Sequence, residues 1–407
     1  MEFQIAWRNI WRNPRRTVII MIAVIIGVWM MIALTSLMRG MVANMLDSGI
    51  ATLTGDIKIY PAGFHDDPSI SFQINDADFV LSKIANTFPL ETQYASRVRV
   101  NAIASNARHS VGLTLVGIDP GQEKGVSFIG NGVLDGRMIS KDDKNVIVVG
   151  QALLEKFETR IGHKLILMSQ DCQNEIVSKA YKIVGVFRAK LASTEKQFVF
   201  VSKSSVQNML GMENGVSEIS IVLADHEKTG RVAESISTAL NGSDLEIYTW
   251  KDLLPMLKSY MEIFDGFIVL WFLVVFVAMA FGIVNTMLMA VYERMREFGL
   301  LKALGMKPAL ILRSVLIESG IILAIGAFTG NLLAIGLVMI MAVTGIDLSA
   351  LASGLEYVGV SSIIYPELVW KDVFLANGVV MVLGLAVSIY PAVKASRITP
   401  VEAMTHV

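Results

Sequence analysis

Residues Tyr292–Pro308 read YERMREFGLLKALGMKP and stand between two apolar stretches long enough to cross a bilayer. Charges fall at Glu293, Arg294, Arg296, Glu297 and Lys302, and apolar side chains at Met295, Phe298, Leu301 and Leu304. That spacing gives a helix with one apolar and one charged face. The segment is predicted to be a short amphipathic helix on the membrane surface, held by a span at each end. Two readings fit the periodicity. One is an ordinary interfacial connector; the other is a contact through which a machine outside the bilayer passes force to the spans.

Working outward, the composition is that of a membrane protein with a sizeable water-exposed part. Of 407 residues, 53% are hydrophobic and 17% charged, against about 25% charged in soluble domains. Stretches at about Thr17–Leu37, Phe267–Val291, Ile311–Ile340 and Val373–Tyr390 approach or exceed the ~20 apolar residues a spanning helix needs. Lys371 and Asp372 blur the start of the last one. The first apolar run is longer than a signal-peptide core and lacks a convincing cleavage site, so an uncleaved anchor is expected. Arg8, Arg12, Arg15 and Arg16 precede the first span; Arg294, Arg296, Lys302, Lys307 and Arg313 lie between the second and third; Lys394 and Arg397 follow the fourth. By the excess of Lys and Arg on the cytoplasmic side, both termini and the 292–313 loop are expected there, with 38–262 and the 341–372 loop outside. Phe3, Trp7, Ile10 and Trp11 share a helical face among those arginines, which reads as an interfacial anchor helix over 1–16.

Residues 38–262 are too long for a loop and are expected to fold. Strand-like runs include Thr54–Tyr60, Arg97–Ala104, Val111–Ile118, Val146–Val149, Lys164–Met168, Tyr181–Phe187, Phe198–Val201 and Ile219–Leu223. Helix-like runs include Ala77–Phe88, Gln151–Phe157, Ser204–Leu210 and Thr229–Leu240. The expected fold class is therefore a four-span α-helical membrane protein with a large α+β extracytoplasmic domain. Helical spacing over Trp250–Phe264 predicts one continuous helix into the second span, and Met38–Ser48 is expected to prolong the first, giving paired stalks.

Chemistry-bearing motifs are sparse. There is no HExxH, the five histidines are scattered, and no metal site is expected. A GxSxG elbow and a GxxxxGK[ST] phosphate loop are also missing, so ATP is not expected to bind by that loop. The net charge of −1 gives no support for nucleic acid. The lone Cys172 makes neither an intrachain disulfide nor a CxxC site. Within the spans, Glu318 is a costly carboxylate. It is read either as a partner-facing or substrate-path residue, or as a carboxyl that snorkels or bonds a neighbouring helix. Gly326 and Gly330 form GxxxG, which lets helices approach closely, and Asn285 is expected to bond across helices.

Several motifs together resemble the permease subunits of the FtsX/MacB/LolC–LolE superfamily, the mechanotransmission ABC transporters. They run from Ala6–Ile10 through Val116–Pro120, Leu134–Arg137, Val146–Gly150, Ile161–Leu165 and Tyr181–Phe187. They continue with Glu293–Arg294, Glu297–Gly299, Lys302–Gly305 and Tyr390–Ala392, and close with Pro400–Ala403. The resemblance covers nearly the whole chain, and the order of the pieces, with one span before the outer domain and three after it, is its most specific part.

The resemblance implies a dimer, with itself or a second permease, that recruits two copies of an ATPase. ATP and magnesium would be held by that partner and no cofactor by this chain. It implies an outer domain like the MacB periplasmic core, and a coupling helix at 292–308 in which Glu293, Arg294, Glu297, Phe298, Gly299, Lys302 and Gly305 transmit motion. Glycine at 299 and 305 would allow close backbone approach and a helix stop. The expected role is a non-catalytic inner-membrane permease that extracts lipid-anchored proteins, with a periplasmic chaperone or membrane-fusion protein as a further partner. Gln170–Ser178 is a candidate hairpin hook. Efflux of peptides, antibiotics or other amphiphiles, and regulation of a periplasmic hydrolase without transport, are the rival expectations.

Overall fold

The computed structural model describes residues 2–87, 92–347 and 363–399. The Pro400–Ala403 motif, the expected helix end at Phe88 and residues 348–362 of the last loop lie outside them. The chain divides into two units, residues 2–43, 260–347 and 363–399 in one, and 44–87 with 92–259 in the other.

In chain order the helices are α1 Glu2–Arg12, α2 Pro14–Gly49, α3 Ala77–Thr87, α4 Pro120–Glu123, α5 Gln151–Lys156, α6 Ala192–Gln197, α7 Lys203–Leu210, α8 Thr229–Ala239, α9 Trp250–Leu253, α10 Pro255–Glu293, α11 Met295–Ala303, α12 Pro308–Thr344 and α13 Trp370–Arg397. Four of them, α2, α10, α12 and α13, are long and apolar enough to cross a membrane. At 36 and 39 residues, α2 and α10 run about 54 and 58 Å, well past a ~30 Å hydrocarbon core. Proline opens α2, α10 and α12, where its missing N–H costs nothing and its φ suits the first turn. For the same reason the single helix expected over Trp250–Phe264 is interrupted. Leu254 leaves helical geometry (φ −123°, ψ 61°) and a new helix begins at Pro255, since the residue before a proline is pushed out of the α region.

The first unit is built on one apolar core. Val24, Val28 and Met31 of α2, Phe272 and Ile283 of α10, Val315 and Ile322 of α12, and Ala376 and Val380 of α13 are buried in it. Phe267, Leu270, Phe328, Leu332 and Phe374 face outward, as on a surface bathed in lipid. Gly326 and Gly330 sit where α12 crosses α2. A Cβ on Gly326 would meet Val24 at 2.8 Å, and one on Gly330 the Ile25 carbonyl at 2.9 Å, so GxxxG serves backbone approach here. Two polar joints also tie spans together. Asn331 of α12 and Asn377 of α13 exchange amide hydrogen bonds at 2.8 and 3.0 Å. Arg39 of α2 donates to both carboxylate oxygens of Asp372 at 2.7 and 3.1 Å, with Asp265 of α10 at 2.7 Å. Lys371 and Asp372, which obscure the fourth span in the sequence, thus lie in the first turn of α13, where Asp372 closes a charge pair.

The second unit is an α+β domain. Its strands are β1 Ile57–Pro61, β2 Thr92–Ser105, β3 Ser110–Ile118, β4 Asp135–Gly136, β5 Val146–Gly150, β6 Lys164–Gln170, β7 Ile176–Phe187, β8 Phe198–Ser202, β9 Glu218–Leu223 and β10 Leu245–Thr249. They join in one sheet of order β10-β1-β9-β2-β3-β8-β5-β7-β4, with β6 paired to β2 and β7. The long β2 bridges the two halves, pairing antiparallel with β9 through Thr92–Arg97 and with β3 through Val98–Ser105. One face of β1 and β9 packs Ile57, Ile59, Ile219 and Ile221 against Leu81 and Ile84 of α3 and Ile236 of α8. The hairpin expected near Gln170–Ser178 is the β6–β7 turn, where the Asp171 carboxylate accepts from the backbone of Gln173 and Glu175 at 2.8 and 2.9 Å.

Thr54, expected to open a strand, instead ends a π-helical turn over Ile50–Thr54 that follows α2. Leu53 there is buried with φ 64°, a left-handed conformation uncommon outside glycine, asparagine and aspartate. Arg97 holds it: its Nη1 donates to the Leu53 carbonyl at 2.8 Å, while Nε and Nη2 grip Glu123 at 2.7 and 2.9 Å. His226 braces the end of α2 within this unit, with Asp56 at 2.7 Å and Asp47 at 3.4 Å. Those two carboxylates raise the His226 pKa to about 10.

Candidate functional site

The segment quoted at the outset is shorter as a helix than its periodicity predicts. α10 ends at Glu293, Arg294 turns the chain at φ −103°, and α11 covers only Met295–Ala303. Its end is set by Gly305 at φ +93°. The Met306 N–H bonds the Leu301 carbonyl and the Gly305 N–H the Lys302 carbonyl, both at 3.0 Å. This is the Schellman pattern, which glycine permits at the left-handed position. Phe298 and Gly299 are the buried residues of α11, and Leu300 and Leu304 are exposed.

The charged residues flanking and within α11 join it to α1, α12 and α13, and join the end of α10 to α2. Arg12 at the end of α1 donates to Glu297. Arg16 and Asn13 reach Glu293 at 2.8 and 3.0 Å. Arg294 bonds Glu318 of α12 at 2.9 Å and Glu297 at 3.3 Å, and lies over the Phe298 ring at 5.3 Å. Lys302 donates to the carbonyls of Ser396 and Ile398, both at 2.8 Å, covering the end of α13; a cation there also suits the helix dipole. Partial burial pushes the Glu297 carboxyl up, but the bonds from Arg12 and the field of Arg294 outweigh it and hold its pKa below the ordinary carboxylate range.

Of the residues singled out in the sequence, Glu293, Arg294, Glu297, Phe298, Lys302 and Glu318 are thus brought together. Glu318 bonds a neighbouring segment, one of the two readings of that buried carboxylate. Asn285 stands apart. It is exposed and lines a cleft of about 580 Å³ with Arg15, Arg16, Ile19, Met289 and Glu293, and no bond from its amide to another helix occurs among the described residues. The partners of the segment, Arg12, Arg16, Ser396 and Ile398, are read in the sequence only as basic flanks or not at all. Their contacts span 94 to 285 positions of chain. Among the described residues no cluster of three or more histidine, cysteine or acidic side chains could hold a metal ion.

The model of the MacB-like periplasmic core domain matches residues 17–239, and that of the FtsX-like permease C-terminal region matches 268–400. The chain belongs to the MacB/FtsX/LolC superfamily of ABC transporter permeases. Among similar superfamily members, an uncharacterized ABC transporter permease of Methanocaldococcus jannaschii is 23% identical, covering 98% of this chain and 96% of that one. The lipoprotein-releasing system transmembrane protein LolC of Xylella fastidiosa is 22% identical over 79% of this chain and 80% of its own. The macrolide export ATP-binding/permease protein MacB of Burkholderia thailandensis is 20% identical over 99% of this chain, which spans 60% of that longer protein. Among solved structures, the periplasmic region of MacB from Actinobacillus actinomycetemcomitans aligns at 18% identity with TM-score 0.35, over 52% of this chain and 94% of that one. The permease is a membrane protein with an extracytoplasmic MacB-like domain, and permeases of this kind work with an ATPase.

Proposed function

We propose that this permease passes the motion of an ATPase to its extracytoplasmic domain through α11, and that the work done is extraction of lipid-anchored proteins from the inner membrane. The observation that carries the coupling role is the set of bonds around α11. Glu297, Arg294 and Lys302 connect it to α1, α12 and α13, the Arg294 turn joins it to α10, and Glu293 at the end of α10 bonds Arg16 of α2. A push on α11 therefore displaces the ends of all four spans at once. The exposed Leu300 and Leu304 offer the ATPase an apolar foothold. In this reading α11 and both termini are cytoplasmic, two ATPase copies serve a permease dimer, and hydrolysis takes place in the partner.

Lipoprotein extraction is supported by the LolC relative, which is matched over four-fifths of its length. MacB relatives, named for macrolide export and matched over nearly all of this chain, favour efflux of an amphiphile as the second reading. Purification of the tagged chain from native membranes, then reconstitution with the ATPase that accompanies it, tests both. ATP-dependent release of a lipid-anchored protein is expected. Release of none, with ATP-dependent movement of a macrolide instead, selects efflux; recovery of no ATPase removes the coupling role.

A further inference from the structure

Along β1, Ile57 and Ile59 face the core formed with α3 and α8, so Lys58 and Tyr60 face the other way. Register puts Tyr248 of β10 beside Lys58 and Glu218 of β9 beside Arg97 of β2, with Arg99 and Asn101 following on the same side of β2. This second face leaves one cation poorly paired. Arg97 is consumed by Glu123 at 2.7 Å, and Lys58, only 2% exposed, by Glu218 at 2.9 Å. Arg99 reaches Glu218 only at 3.9 Å and lies over the Phe198 ring at 5.7 Å. Of these three cations Arg99 is thus the least closely paired and the one open to water; a further carboxylate on this face, Glu246 opposite Tyr60, accepts from the Tyr248 hydroxyl at 3.0 Å. Burial, with Arg99 and Arg97 acting against the pull of Glu218, brings the Lys58 pKa down to about 8.

A cavity of about 330 Å³ opens over this face, lined by Lys58, Arg99, Asn101, Tyr60, Phe64 and His65 among others, with no carboxylate in its wall. Beside it Tyr60 stacks on Phe64 at 5.3 Å, and His65 lies tilted against Tyr248 at 4.5 Å. A planar guanidinium without a close carboxylate suits a phosphate or carboxylate group. The rings offer the rest of such a molecule an apolar wall.

We infer that this cavity of the extracytoplasmic domain binds a small organic anion, a phosphate or carboxylate group on an apolar or aromatic body, with Arg99 as its main charge partner. The anion pairs with Arg99 and its body lies against Tyr60, Phe64 and His65.

The test is calorimetric titration of phenyl phosphate into the full chain in nanodiscs of zwitterionic lipid. Binding is expected, weakening with salt. Arg99→Gln removes a charged hydrogen bond of about 1.5–3 kcal/mol, so affinity should fall about tenfold or more; His65→Ala, at an exposed position, should weaken it less. Unchanged melting temperatures of both variants show that the fold is kept. Inorganic phosphate should bind more weakly than phenyl phosphate. A repeat in nanodiscs containing phosphatidylglycerol separates two sources of the anion: competition by the lipid assigns a lipid headgroup, and an unaltered affinity assigns a soluble ligand. No binding to the wild-type chain, or equal binding to Arg99→Gln, overturns the inference. Equal affinity for inorganic and phenyl phosphate overturns the part given to the rings.

Discussion

Arg294 and Glu318 meet at 2.9 Å with both side chains nearly buried, so the turn that opens α11 is locked by charge to the third turn of a spanning helix. Removing one partner of a buried pair strands the other, at a cost of about 3–5 kcal/mol. Glu318→Ala is therefore expected to lower the melting temperature of the detergent-purified chain sharply. The double variant Arg294→Met with Glu318→Met should recover most of it, because an apolar pair of similar volume avoids the desolvation penalty. A single variant as stable as wild type would show that the pair bears no load.

Arg12 and Glu297 differ in kind, since each is about half exposed. Exposed pairs contribute roughly 0–1 kcal/mol, so Glu297→Lys should leave stability and membrane insertion intact. Its expected effect is on transport: ATPase activity persists in the complex while cargo movement fails. Arg12→Glu should do the same, and the two reversals combined should restore part of the coupling. Wild-type transport in Glu297→Lys would remove this contact from the path of force.

The crossing of α12 on α2 leaves no room at Gly326, where a Cβ would already lie 2.8 Å from Val24. Overpacking of this sort costs about 1–3 kcal/mol. Gly326→Leu should lower the melting temperature and weaken crosslinking between cysteines introduced at Val24 and Ala327, whereas Gly336→Leu, at a position open on all sides, should alter neither.

His226 gives a pH dependence with a definite sign. Its pKa rises from 6.5 to about 10 on folding through Asp47 and Asp56. Its stabilisation is complete below pH 6.5, declines through the interval, and is gone above about pH 10. The melting-temperature difference between wild type and His226→Gln should follow that course. A difference that grows between pH 7 and 10 would contradict the charged-imidazole assignment.

Cys172 reports the side of the membrane on which the domain lies. It is partly buried beside the β6–β7 turn, and burial with Asp171 nearby raises its pKa. A membrane-impermeant maleimide should label it on intact spheroplasts, slowly at neutral pH and faster at pH 9. Labelling only after lysis would invert the proposed topology.

What the sequence makes legible is whatever acts locally. Apolar length reveals the four spans, GxxxG a tight crossing, and the 292–308 periodicity a surface helix. The pattern cannot foresee that Arg294 breaks this segment in two, because its side chain is drawn to Glu318, 24 positions on. Ile57-Lys58-Ile59-Tyr60 alternates as if Lys58 faced water, yet β1 is buried on both sides because Glu218, 160 residues away, receives the ammonium. Leu245–Thr249 is not read as a strand, since its short run interrupts apolar residues with Glu246 and gains its place only by pairing with β1. The sheet face around Arg97 is assembled from partners 26 to 123 positions distant, which no local periodicity records.

Lys302 shields the final carbonyls of α13 as a lid shields a hinge pin. Whatever docks against α11 and draws that ammonium away would expose the Ser396 and Ile398 oxygens to water and loosen the last turn. Faster deuterium uptake by the amides of 394–397 would then report occupancy of the docking surface without any label placed upon it.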